Sequence, residues 1–409
     1  MNSSRDSFGR AVWLLLAAVL GCVTVWGAST PENRKAVPGP AEVRGVWMWS
    51  SALQQESGEQ IAAHLAEHQI NRVFFLVKGY SGRVCYPSKL APSQRSGRDC
   101  LREILTACHK RGIEVHAWFV FNSDDHWGTK HPEDAMCHVG KPDAWGDGPY
   151  SKKDSQSSIP ICPLSQGYRS HFKGLVREVL AGYEVDGIHL DYIRYGHMCY
   201  CFCPRHQSLA ASNGIAMANV RKAIYKTFYA PRKQSSYYFD RYRAGDHDVT
   251  RWVGMREEDI NTAVNEVRQL VKTTKPTLAL SASFMPEGGE LDDAYARCHY
   301  AQNYATAGSQ LDYILPMTYW NSPLRVAQIA RNAEQKSHRP VYSGLWASEA
   351  KATPPDKQER DDSVSAPISR VVSPLKLSQH IQVLREQGIK GFVLFQYGTM
   401  TERLWKELP

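Results

Sequence analysis

The stretch Tyr183-Glu-Val-Asp-Gly-Ile-His-Leu-Asp-Tyr-Ile-Arg-Tyr195 reads as a buried β-strand whose apolar run is interrupted by His189 and Asp191. Side chains alternate between the two faces of an extended chain, so His189 and Asp191 share one face while Ile188 and Leu190 share the other. With the aliphatic pair packed outward against helices, the polar pair points inward. Asp191 then sits near the C-terminal end of the strand.

Working outward, strand-length apolar stretches alternate with helix-length amphipathic ones over most of the chain. The strand candidates are Val43–Trp49, Arg72–Lys78, Glu114–Phe121, Gly187–Ile193, Thr277–Phe284, Tyr313–Tyr319, Val341–Trp346 and Gly391–Gln396. Helices are expected at Gly58–His68, Arg98–Arg111, Tyr168–Gly182, Glu257–Thr273 and Leu377–Gln387, with Thr401–Leu408 closing the circuit. Eight βα units spanning 42–409 predict an α/β fold, a (β/α)₈ TIM barrel. An open doubly wound sheet is the alternative, but no Gly-x-Gly-x-x-Gly turn follows the first strand to hold a dinucleotide.

Long polar insertions follow strand 3 (about 123–164), strand 4 (about 196–255) and strand 7 (about 347–375). In a barrel these strand ends form the face on which sites are built, so the insertions are expected to wall a cleft. Asp191 opens into it. A buried carboxylate is costly unless it is paired or has chemical work to do, and Arg194 is the nearest candidate partner in sequence. His189 lies deeper and reads as a core histidine that orients Asp191; with Arg194 it is placed on the substrate side of the site. Asp186 and Asp312 open strands and belong at the opposite end.

Five motifs make the chain recognisable: Glu42-Val-Arg-Gly-Val-Trp47, Tyr86-Pro-Ser-Lys-Leu-Ala-Pro92, His109-Lys-Arg-Gly-Ile-Glu-Val-His-Ala-Trp118, Val185-Asp-Gly-Ile-His-Leu-Asp-Tyr-Ile-Arg-Tyr195 and Leu315-Pro-Met-Thr-Tyr319. In order and spacing they resemble the glycosyl-hydrolase-like family ten, a family of envelope-associated barrels, over about 42–400. The resemblance implies hydrolysis of a glycosidic bond in an envelope polysaccharide, with peptidoglycan glycan strands as the leading substrate. Asp186-Gly-Ile-His-Leu-Asp-Tyr-Ile is also similar to the strand-four signature of chitinase-like barrels, Asp-Gly-x-Asp-x-Asp-x-Glu. Ile193 stands where that signature has its acid, so Asp191 becomes the central catalytic carboxylate.

Glycosidases generally use two carboxylates, about 5–10 Å apart. Glu287, just beyond Ser281 and Ser283 at the end of strand 5, is the preferred partner, and Asp124 and Asp125 after strand 3 are the others. Sugar binding also calls for flat apolar surfaces and planar donors, which strand ends supply in Trp47, Trp118, Asn122, Tyr319, Trp320, Trp346 and Gln396. Trp118, Asn122, Tyr319, Trp320 and Gln396 are therefore assigned to substrate binding. Met317 and Tyr319 are similar to the Met-x-Tyr of chitinase-like barrels, where the hydroxyl binds a substrate acyl group. Two other readings fit the same residues: a non-catalytic carbohydrate-binding barrel, and a metal-dependent esterase or deacetylase acting on the same polymers.

Cys199, Cys201 and Cys203 crowd the loop after strand 4, with Cys137 and Cys162 in the preceding insertion. In an exported chain disulfides are the first expectation, and no cofactor is called for. The alternative is a structural zinc held by three of these thiolates with His197 or His206. Cys100 and Cys108, on one helix at a spacing that cannot bond, are expected as buried thiols.

Export itself is read from the N-terminus. Arg5 and Arg10 precede the apolar run from Ala11 to Leu20, too short for a transmembrane helix and suited to a signal peptide over 1–27. Val19-Leu20-Gly21-Cys22 offers a lipoprotein cut with a lipid anchor on Cys22, while Val25-Trp26-Gly27 offers an ordinary one. Either places the chain in the periplasm or cell envelope. A net charge of +8 mildly favours anionic partners such as wall polymers. Nucleic acid is not expected, because there is no zinc-finger spacing, RNA-binding aromatic motif or dense Lys/Arg stripe.

Overall fold

The computed structural model describes residues 42–94, 97–140, 158–320, 322–349 and 372–409. The proposed leader, Cys22 and most of the insertion after strand 7 lie outside the described residues. The eight strands are β1 (Val43–Met48), β2 (Arg72–Lys78), β3 (Glu114–Val120), β4 (Gly187–Asp191), β5 (Ala279–Phe284), β6 (Tyr313–Pro316), β7 (Ser343–Trp346) and β8 (Gly391–Phe395). They pair in parallel in the order β6-β5-β4-β3-β2-β1-β8-β7. Parallel bridges Ile314–Val341 and Met317–Gly344 bring β6 to β7, with Ile314 N–H donating to Pro340 O at 3.1 Å, so the sheet closes on itself as a barrel.

The two-residue alternation governs the layers. Ile188, Leu190, Leu280, Ala282, Ile314, Leu345 and Leu394 face the surrounding helices in the outer core, while Trp47, Phe74, Trp118, Val120, Leu315 and Val393 fill the barrel interior. His189 belongs to that interior. Trp47 Nε1–H donates to His189 Nε2 at 3.2 Å, which makes Nε2 an acceptor and leaves Nδ1–H to reach Ser281 Oγ at 2.9 Å. Burial holds the ring far below the ordinary imidazole value, with neighbouring His116 adding to the effect, so His189 is neutral. Gly187 is required at the base of β4: a Cβ there would lie 2.0 Å from His116 Nδ1.

Strand ends differ from expectation. β4 stops at Asp191 rather than Ile193, β6 stops at Pro316 rather than Tyr319, and β3 stops at Val120. The chain must leave the ladder there to build the mouth. The region 196–255, expected as a polar insertion, is largely helical: Pro204–Ser212, Met217–Phe228, Tyr237–Arg243 and the start of His247–Thr274 pack around a second core that includes Ile224, Tyr238, Phe239, Trp252 and Val253. Val249, Trp252, Val253 and Arg256 form one helical stripe, and Asp246 caps it by accepting from Val249 N–H at 3.0 Å. The helix expected to begin at Glu257 therefore begins ten residues earlier.

Candidate active site

Asp191 ends β4 with both carboxylate oxygens engaged. Oδ1 accepts from the Tyr192 N–H at 2.7 Å and lies 3.6 Å from Arg194 Nη1; Oδ2 accepts from Trp118 Nε1–H at 3.2 Å. The Tyr192 contact depends on a backbone in the left-handed region (φ 52°), unusual for a tyrosine, which turns its N–H back onto the carboxylate. Arg194 lies with its guanidinium carbon 3.9 Å from the centroid of the Tyr192 ring, so the cation is held against the acid by an aromatic face. Asn122 fixes the loop, donating through Nδ2 to Arg194 O at 2.8 Å and through its backbone N–H to Tyr192 O at 3.2 Å. Its buried Oδ1 is without a partner among the described residues.

Burial is the largest influence on Asp191 and pushes its carboxyl above the usual range; Arg194, the Tyr192 N–H and Trp118 oppose it. Glu287 stands on the turn Pro286–Gly289 directly after β5. Burial pushes its carboxyl up to about 7, against the pull of the charges on Arg194 and Arg325. Its Oε2 is buried without a hydrogen-bond partner among the described residues. Glu287 follows β5, which pairs with β4, and the Arg194 charge opposes the effect of burial on the carboxyls of both Asp191 and Glu287.

The other assigned residues divide. Tyr319 lies half-buried within the field of the Asp191 and Arg194 charges, and its ring meets Trp346 and Phe395 at centroid distances of 5.6 Å each. Trp118 is a partner of Asp191. Gln396 is half-buried, its side-chain oxygen accepting from Gly398 N–H at 3.2 Å across the turn after β8. His189 is corrected: its ring nitrogens meet Ser281, Ser283 and Trp47 beneath the site, so it neither lines the cleft nor bonds to Asp191. Trp320 is corrected too, since it packs in the outer core with Arg325 stacked on it at 4.2 Å.

Asp124 is removed as a candidate acid. It forms a fully buried ion pair with Lys78 at 3.1 Å and caps the helix Asp125–Lys130 through Trp127 N–H. Asp125 accepts from Ile159 N–H at 2.8 Å. Asp186 and Asp312 hold strand amides at the opposite end, as expected, through Val115 N–H and Leu280 N–H. Tyr80 and Tyr192, whose rings meet edge to face at 5.0 Å, are mouth residues that sequence reading passed over. Tyr192 was signalled only by its place beside Asp191.

Among the described residues, none of the nine cysteines is joined in a disulfide. Cys162, Cys201 and Cys203 converge with His206, whereas Cys199 turns toward the Tyr229 hydroxyl and His197 packs against Phe228 and His299. The expected trio of Cys199, Cys201 and Cys203 is thus replaced by one that draws Cys162 from the preceding insertion. Cys100 and Cys108 are buried thiols, the latter pushed up to about 12 by burial.

A closed barrel of eight parallel strands carrying an acid at the end of β4 defines a TIM-barrel protein with a carboxylate at its mouth. The chain belongs to the glycosyl hydrolase-like 10 family, whose model matches residues 42–361. It is 22% identical over 364 residues to the glycosyl hydrolase YngK of Bacillus subtilis, covering 76% of this chain and 59% of that one. It is 38% identical over 76 residues to the glycosyl hydrolase DigH of Escherichia coli, covering 16% of this chain and 17% of DigH. The chain therefore spans less than two thirds of the length of either relative. In fold it is similar to the PgaB (BpsB) glycoside hydrolase domain from Bordetella bronchiseptica, with a TM-score of 0.60 and 13% identity over 87% of this chain and 94% of that one. An α-L-fucosidase from Paenibacillus thiaminolyticus matches with a TM-score of 0.60 and 14% identity, over 90% of this chain and 48% of that one.

Proposed function

We propose that this protein hydrolyses a glycosidic bond in a cell-envelope polysaccharide, with peptidoglycan glycan strands as substrate and Asp191 and Glu287 as the two working carboxyls. The observation that carries the reading is the buried Asp191 carboxylate at the end of β4, held by Tyr192, Trp118 and Arg194, with half-buried Glu287 on the turn after the paired strand β5, its carboxyl pushed up to about 7 by burial. Glycoside hydrolysis needs one carboxyl protonated and one charged at the same pH, and unequal environments supply that difference. Glu287, its buried Oε2 without a hydrogen bond among the described residues, is the proton donor to the leaving oxygen. Asp191, braced by an N–H, an indole and a guanidinium, is the carboxylate that faces the developing positive charge at the sugar.

Tyr319, Trp346, Phe395, Tyr80 and Tyr192 supply ring faces for a sugar. The family's glycosidase-like character agrees with a polysaccharide partner. Export by a cleaved leader, with a lipid anchor on Cys22, would place the protein beside that polymer. The test is incubation of the purified protein with peptidoglycan glycan strands, with and without stem peptides, followed by mass analysis. New reducing ends are expected. Free acetate would assign an esterase or deacetylase, and binding without products a lectin-like barrel; either result overturns the reading.

A further inference from the structure

We infer that Cys162, Cys201, Cys203 and His206 bind one structural zinc ion that ties the insertion after β3 to the insertion after β4. Their four ligand atoms all lie within 4.8 Å of one another, and all four residues are buried. Cys162 Sγ is 3.8 Å from Cys203 Sγ and 3.6 Å from His206 Nδ1; Cys203 Sγ is 3.2 Å from the same nitrogen. A tetrahedral zinc with its usual bond lengths separates two thiolate sulfurs by about 3.8 Å and a sulfur from an imidazole nitrogen by about 3.6 Å. Two of the three separations meet those values, and the third needs a shift of about 0.4 Å. The disulfide expected from the sequence needs sulfurs about 2.05 Å apart, which the Cys162 and Cys203 pair does not approach.

The surroundings are those of a metal ligand set rather than of packed thiols. His206 turns Nδ1 to the sulfurs and Nε2 to Asp259 Oδ2 at 3.1 Å, with the Tyr195 hydroxyl 2.8 Å from Nε2 and donating to the same carboxylate at 2.6 Å. A carboxylate on the far nitrogen fixes the tautomer that leaves Nδ1 free to ligate. The Cys137 N–H points at Cys201 Sγ at 3.3 Å, a donor suited to a thiolate. On binding, each of the three thiols gives its proton to solvent, and no oxidant or reductant takes part. Three thiolates, one neutral imidazole and Zn²⁺ leave a single negative charge.

Four protein ligands fill a tetrahedral zinc, so the ion has no open position for substrate and its role is to hold the fold. Ile161, beside Cys162, donates its N–H to Asn122 O at 3.1 Å, and Asn122 holds the Arg194 carbonyl. The ion therefore braces the loop that carries the partner of Asp191.

The test is metal analysis and native mass spectrometry of the full chain prepared with reductant and without chelator. About one zinc per chain is expected, falling at least tenfold in Cys162→Ser and Cys203→Ser. Cobalt(II) loaded into the unaltered protein is expected to give tetrahedral visible bands with thiolate charge transfer in the near ultraviolet, a readout that stands if the variants fail to fold. Folded protein with less than about a tenth of a zinc per chain, retention of zinc in both variants, a cobalt spectrum without thiolate character, or a mapped disulfide joining two of the three cysteines would each overturn the site.

Discussion

The Trp118 indole N–H donates to Asp191 Oδ2 at 3.2 Å across the β3–β4 pairing, while Arg194 lies 3.6 Å from the other oxygen. An acid buried inside a barrel is thus held from two sides by groups that favour its charged form. Burial still wins, and the carboxyl remains above its ordinary range.

Asp191→Asn keeps the shape and removes the charge. Turnover of glycan strands is expected to fall by about 10²–10⁴-fold with circular dichroism unchanged. Near-normal turnover would show that Asp191 is not an essential catalytic group.

Trp118→Phe removes one hydrogen bond to the charged form of Asp191 and keeps the ring. The Asp191 carboxyl should rise further, carrying the acidic limb of the pH–rate profile upward with it. A profile with the limb unmoved would leave Trp118 as packing alone.

Burial pushes the Glu287 carboxyl up to about 7 in the folded chain, from an ordinary value of 4.5. Its protonated form is the one that folding favours. Stability from this group is therefore complete below about 4.5 and is lost as pH rises through about 7. Glu287→Gln should escape that loss, gaining about 1–3 kcal/mol over the unaltered protein at pH 8 while losing catalysis. Melting curves for the two proteins that run parallel from pH 4 to 9 would contradict the assignment.

Lys78 and Asp124 form a buried pair in which Lys78 also donates to Val120 O at 2.9 Å and Ser123 O at 2.6 Å. Lys78→Met strands the Asp124 charge and should cost about 3–5 kcal/mol in denaturant unfolding. Adding Asp124→Asn should restore part of that loss. An equal or greater loss in the double variant would mean that the cost lies in the carbonyls Lys78 leaves behind.

Where sequence reading succeeded, the signal was local. Eight apolar stretches with two-residue alternation identified the strands, and the spacing of Ile188, His189, Leu190 and Asp191 correctly pointed the acid inward. It failed where partners come from distant segments. His189 was expected to orient Asp191, but the register of β5 sets Ser281 beside it, and its ring bonds to Ser281, Ser283 and Trp47 instead. The helix from His247 was missed because its first turns bury against helices of the same insertion, giving a mixed polar pattern no clear core to match.

By itself, the sequence determined the barrel, the inward face of β4 and the carboxylate at its end, because burial and alternation act over a few residues. Only the tertiary structure decided that Trp118 holds Asp191, that Asp124 belongs to Lys78, and that Cys162 joins His206 across 44 residues. Those choices depend on which loops meet after the barrel has closed. That is set by the register of all eight strands together, and no local pattern encodes it.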